Sequence, residues 1–226
     1  MSEVLNNISD YKNILNRALN AEKNYKFNLS SAHYYSILTQ MKLDIDESTT
    51  NNIRYSLLFN SILIQPSGLK SNFLKYVISL EETNNFIIHY STFIKKMLAN
   101  KIIKNKDLEI FISKNEDNIP NNIKELINFN YNILEKSIFE HNIYCISLYY
   151  DNIDISLLGI LIDNNDCNNI KSNLFKMIVE GKLEGKIDEH KNYIFFTNKE
   201  DNDFYNKQIK NFCNKVLHFN EYYDTN

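Results

Sequence analysis

The sequence predicts a mainly α-helical chain: solenoid-like helical hairpins, then a winged-helix subdomain with a small β-sheet wing, then a C-terminal helix. Three observations predict it. Four glycines and two prolines in 226 residues leave little material for hairpin turns and much room for long helices. Apolar residues recur at helical spacing through most of the chain. The stretch KMIVEGKLEGKIDEHKNYIFF, Lys176 to Phe196, breaks that pattern with a glycine after a helical end and two short alternating runs around a polar turn.

The elements follow in order. Val4, Ile8, Tyr11, Leu15 and Ala18 fall on one face of a first helix, and Leu29, Ala32, Tyr35 and Leu38 are expected inward on a second. The polar stretch Asp44 to Asn52 precedes NIRYSLLFNSILI, apolar on nearly every side and so expected to be buried. QPSG at Gln65 to Gly68 breaks the chain before amphipathic pieces at Leu69 to Leu80, Thr83 to Leu98 and Lys104 to Ser113. These six helices are expected to stack as hairpins over residues 1–118. Pro120 suits the first turn of a long helix running to Tyr150, with Ile123, Leu126, Ile127, Leu134, Ile138, Tyr144, Ile146 and Leu148 on its apolar faces.

Residues 119–198 join that helix to the winged-helix subdomain. Ile153 is expected as a minimal strand, Asp154 as the cap of a short helix, and NNDCNN as a loop into the helix IKSNLFKMIVE. Gly181 suits the left-handed position past a helix end, and Gly185 a position where a side chain would crowd the neighbouring strand. Leu183, Gly185 and Ile187 are expected on one strand face, and Ile194 and Phe196 on another. In residues 199–226, Tyr205, Ile209, Phe212, Val216, Phe219 and Tyr223 repeat at four and three, a heptad seam for a partner helix.

The composition argues against several functions. A formal charge of -3 and a pI near 6.0 disfavour a chain whose main role is to wrap nucleic acid, which needs clustered Lys and Arg. From His141 to Phe196 five lysines stand against eight carboxylates, and the helix that would enter a major groove holds no arginine to grip guanine. No run approaches the roughly 20 apolar residues that cross a bilayer, and MSEVLNNISD does not read as a secretory leader. Cys145, Cys167 and Cys213 are expected as reduced core thiols of an intracellular protein. His33, His89, His141, His190 and His218 are scattered, without an HxH or HExxH motif or a Cys/His pair at metal-ligand spacing, so no metal or cofactor is expected. Asp151 with Asp154, and Asp163 with Asp166, are explained as helix caps and turns rather than catalytic pairs.

Helical hairpins, a long helix, a winged helix and a terminal helix are the plan of the PCI-domain family, the scaffold subunits of the proteasome lid, the COP9 signalosome and the translation initiation factor 3 complex. The stretches LEKSIFEHN, YYDNIDISLLG, KMIVEGKLEGKIDEHKNYIFF and NKQIKNFCNKV resemble the subunit-4 branch of the signalosome, while EHNIYCISLYYDNI is at least as similar to the paralogous lid subunit. The signalosome removes the ubiquitin-like protein Nedd8 from cullins. The resemblance implies a non-enzymatic scaffold in cytoplasm and nucleus, touching other PCI subunits and MPN-domain subunits, and cullin-RING ligases only indirectly. It further implies partner contacts by the wing strands Leu183 to Asp188 and Tyr193 to Thr197, through Leu183, Ile187, Tyr193 and Phe195, and by the heptad seam. The family's helical arm is long, and this chain is expected to hold only its final part.

Overall fold

A computed structural model describes residues 2–40, 46–80, 88–113, 124, 125, 127, 128 and 130–197. The chain divides into two compact units, Met1–Cys145 and Ile146–Asn226.

The first unit holds α1 (Ser2–Lys23), α2 (Phe27–Gln40), α3 (Glu47–Leu63), α4 (Gly68–Ser79), α5 (Ile88–Leu98), α6 (Asn105–Ser113) and most of α7 (Tyr131–Ser147). α3 is its axis: Ile53 and every residue from Tyr55 to Ile62 are buried, as its all-round apolar pattern requires. It begins earlier than the hydropathy suggests, because Asp46 accepts hydrogen bonds from the Thr49 amide at 2.8 Å and the Thr49 hydroxyl at 2.6 Å and so starts the helix inside the polar stretch.

α2 packs Ala32, Tyr35 and Leu38 partly buried against the core as expected, but its most buried side is shifted from that face. Leu29 is exposed, and Phe27, Ser30, Ser31, Tyr34 and Ile37 are buried. The reason is close packing. Ser30 donates to the Ala18 carbonyl (3.1 Å), Ser61 of α3 donates to its own Leu57 carbonyl (2.6 Å), and these small side chains let the helices approach without an unpaired hydroxyl. The Glu22 carboxylate ties three helices, accepting from Tyr34 Oη (3.2 Å) and Asn60 Nδ2 (2.7 Å). Beyond α3, Phe59, Tyr90, Phe93 and Phe111 form an aromatic cluster, with the Phe93 and Phe111 rings stacked at 4.3 Å. The long helix expected from Pro120 is described as α7 from Tyr131, with Asn130 in a turn whose carbonyl receives the Ile133 and Leu134 amides, each at 2.9 Å.

The second unit contains β1 (Asn152–Asp154), α8 (Ile155–Leu161), α9 (Cys167–Val179), β2 (Gly185–Asp188) and β3 (Tyr193–Phe196). This is winged-helix order, with a three-stranded antiparallel sheet β1-β3-β2. Ile153, Ile155, Leu158, Ile162, Ile170, Leu174, Met177, Leu183, Ile194 and Phe196 supply its buried apolar side chains. α9 begins within the expected Asn-rich loop, because Asp166 caps it by accepting from the Asn168 and Asn169 amides, both at 3.0 Å.

Four helices end in the same way. After α1, α5, α8 and α9 the chain turns through a left-handed residue, Tyr25 (φ 57°), Asn100 (φ 49°), Asp163 (φ 55°) and Gly181 (φ 69°). In each the following amide reaches five residues back, as Lys26 to Ala21 (2.9 Å) and Lys182 to Met177 (2.8 Å). Gly181 stands where the sequence placed it, and a chain poor in glycine fills the other positions with Tyr, Asn and Asp.

Candidate protein-interaction surface

The wing is built from a register. Gly185 pairs with Phe196, Lys186 with Phe195, Ile187 with Ile194 and Asp188 with Tyr193. Opposed residues share a face. Gly185, Ile187, Ile194 and Phe196 therefore lie together on the core side, correcting the expectation of two separate faces, and Lys186, Asp188, Tyr193 and Phe195 lie on the other. There the Lys186 ammonium sits 5.4 Å from the Phe195 ring centroid. A Cβ on Gly185 would come within 2.5 Å of the Phe195 carbonyl oxygen, so no side chain fits at that crossing.

The sheet order corrects a second expectation. β3 is central, paired to β1 on one side and β2 on the other, so Tyr193 to Thr197 offers no free edge. Among the described residues, only the outer sides of β1 and β2 are open. Leu183 is buried in its own unit, whereas Ile187, Tyr193 and Phe195 are half-buried. Tyr205, Ile209, Phe212, Val216, Phe219 and Tyr223 lie outside the described residues.

The second unit keeps large apolar side chains in solvent, among them Tyr149, Leu157, Ile160, Phe175 and Val179. Phe175 and Val179, 62% and 68% exposed, stand one turn apart on α9, on the stripe that begins with Asn168 and Ser172. A groove-reading helix would carry donors there. Two bulky hydrocarbons suit a protein surface instead.

The first unit contains a polar cluster that the sequence reading missed. His141 and Cys145, four apart on α7, bring Nε2 and Sγ to 3.3 Å. The i, i+4 spacing was the available signal. A Cys–His nucleophile needs a thiolate beside an imidazolium. Here burial pushes the Cys145 thiol up to about 12 and pulls His141 down to about 4, so both are neutral at pH 7. Nε2 also lies 3.1 Å from the Lys101 carbonyl, which can only accept, so that nitrogen carries the proton and is not a base.

Lys70 is buried in the same region, and desolvation lowers its pKa to about 7, opposed by the charge of Glu140. Its Nζ donates to the Ile62 and Ile64 carbonyls, both at 2.8 Å, closing the C-terminal end of α3. A cavity of about 230 Å3 is lined by Ser67, Lys70, Lys75, Asn100, His141 and Tyr144 among others, but its buried lysine and histidine are already held by backbone carbonyls. Asn142 completes the cluster, donating to the Ile103 carbonyl and accepting from the Ile103 amide at 2.8 Å each, and Ser137 donates to the Ile62 carbonyl at 2.7 Å. The arrangement fastens α7 to the ends of α3 and α5. It does not assemble a nucleophile with a base. Among the described residues no three His, Cys, Asp or Glu side chains could hold one metal ion, and no helix is long and apolar enough to cross a membrane.

Residues 100–198 match the family model described as PCI domain. The chain is similar to COP9 signalosome complex subunit 4 of Drosophila melanogaster, 25% identical over 188 residues that cover 83% of this chain and 44% of the relative. It is also similar to COP9 signalosome complex subunit 4 of Dictyostelium discoideum, 28% identical over 130 residues, covering 57% of this chain and 31% of the relative. The chain thus spans less than half the length of these curated relatives. The PCI match covers α6, α7 and the winged helix, the part of the sequence that carried the resemblance most strongly.

Proposed function

We propose that this chain is a non-catalytic scaffold subunit of a COP9 signalosome. It holds PCI subunits together through the wing edge and a helical bundle joined by its C-terminal segment, and so supports cullin deneddylation. The observation that carries the reading is a β2 edge that no described strand pairs, in a unit that also exposes large apolar side chains and is similar to signalosome subunits. Strand addition at such an edge supplies main-chain hydrogen bonds, and neighbouring apolar contacts supply affinity. The partners in this reading are PCI and MPN-domain subunits, with cullin-RING ligases reached indirectly, in cytoplasm and nucleus.

Affinity purification of the tagged full chain with mass spectrometry tests the assignment. Signalosome subunits are expected, whereas recovery of proteasome-lid subunits would move the chain to the paralogous scaffold. The heptad seam is tested by Phe212→Asp with Val216→Asp. Each apolar side chain is worth about 1.5–3 kcal/mol when fully desolvated, so co-purification should be lost with the circular-dichroism spectrum unchanged. Undiminished co-purification counts against that contact.

A further inference from the structure

We infer that the outer edge of β2 also pairs with β2 of a second copy of this chain, antiparallel and centred on Ile187. The inference rests on the reading of the wing as an assembly edge and names a further occupant for it.

The pairing parity comes first. The Thr197 amide donates to the Glu184 carbonyl at 2.9 Å, so Glu184 and Thr197 form a hydrogen-bonded pair. Continuing the register, Lys186 and Asp188 direct their backbone groups at β3, while Gly185 and Ile187 direct theirs to the open side. Among the described residues those groups of Ile187 have no partner in the sheet. A two-fold axis at Ile187 lets each copy's Ile187 exchange both backbone hydrogen bonds with the other, the arrangement an isologous contact requires.

Charge selects that register. With Ile187 opposite itself, Lys186 of each copy faces Asp188 of the other, twice by symmetry, and Gly185 presents no side chain to Glu189. Moving the axis by one residue to Lys186 sets lysine against lysine and Glu184 against Asp188. Moving it again, to Gly185, draws in Lys182 and Glu184, which lie outside β2, and Lys182 is engaged with Glu180 at 2.8 Å. The favourable register is thus the one that uses the strand itself. Lys186 is exposed on the sheet's outer face, able to reach across the edge. Two four-residue strands make a small contact, so the dimer forms at high concentration and yields to a larger PCI surface when one is present.

Sedimentation velocity on the full chain, from about 1 μM to 1 mM, reads the result. A concentration-dependent dimer is expected. Lys186→Asp and Asp188→Lys each place like charges opposite one another at both pairs and should weaken it about tenfold or more, and the double reversal should restore it. Matched thermal melts keep the Asp188 variant interpretable, since its carboxylate also accepts from the Lys191 amide at 3.0 Å. A chain monomeric throughout, or a dimer that single reversals do not weaken, overturns the inference. So does a double variant no stronger than the single ones. If the isolated chain is monomeric while co-purification of PCI subunits still depends on the wing, the self-pairing falls and the proposed function stands.

Discussion

The two units use polar and apolar groups in opposite ways. In the first, polar side chains reach inward across long stretches of sequence: Lys70 to the end of α3, Asn142 to both backbone groups of Ile103, Ser137 to Ile62. Large aromatics close around Phe111. In the second, polar contacts include the local caps at Asp154 and Asp166 and an exposed contact from Asn192 to Ser156 Oγ at 3.2 Å, and Tyr149, Ile160, Phe175 and Val179 stand in solvent. A unit that buries its polar anchors is committed to its own stability, whereas one that exposes hydrocarbon has surface left for a partner.

The sharpest way to break this contrast is a matched pair of truncations. Phe111, buried among three aromatic rings, should cost about 3–5 kcal/mol when changed to Ala, through lost transfer energy and the cavity left behind. Phe175→Ser, at an exposed site, should leave the urea midpoint within about 0.5 kcal/mol of the parent and instead weaken recovery of protein partners. Equal destabilisation by both would mean that the second unit also depends on that side chain for folding.

The buried cluster makes a smaller, pH-dependent prediction. His141 is held at about 4, below its ordinary 6.5, so between those values the unfolded chain binds the extra proton. Stability is therefore fully present above pH 6.5 and falls as pH drops toward 4. Lys70, lowered from 10.5 to about 7, acts in the same direction higher up, with stability rising between pH 7 and 10.5. His141→Gln should flatten the acid limb of a plot of melting temperature against pH, and Lys70→Met the alkaline limb. An unchanged acid limb in His141→Gln would place that titration on other groups.

Much of this was legible in the residues, and the failures have physical causes. Periodicity located the helices because burial on one face imposes it, and Gly181 and Gly185 were readable because only glycine tolerates those positions cheaply. Ala32, Tyr35 and Leu38 of α2 do face the core, but its most buried side was missed because Ser30 and Ser31 score as polar, although each is small enough for close packing and Ser30 is satisfied by a nearby carbonyl. The strands of the wing were visible but not their order. Pairing of Ile153 with Ile194 closes an edge that sequence alone leaves open, because strand order is a non-local property. The His141–Cys145 contact followed from helical spacing, yet its inertness depends on burial and on the Lys101 carbonyl.

The smallest expected effect lies in the helix ends, where both units follow one rule with different residues. Gly181 takes the left-handed turn without a Cβ penalty, and Asn100 and Asp163 are residue types that visit it with modest cost. Tyr25 has neither advantage, and its side chain is mostly in solvent apart from an edge contact with Phe27 at 6.2 Å. Tyr25→Gly therefore relieves about 1 kcal/mol of backbone strain, offset in part by the greater freedom of glycine in the unfolded chain. A rise of roughly 0.5 kcal/mol in unfolding free energy is expected, read from the urea midpoint at constant slope. A fall would show that the Tyr25–Phe27 contact outweighs the strain, and that this helix end is fixed by packing rather than by backbone geometry.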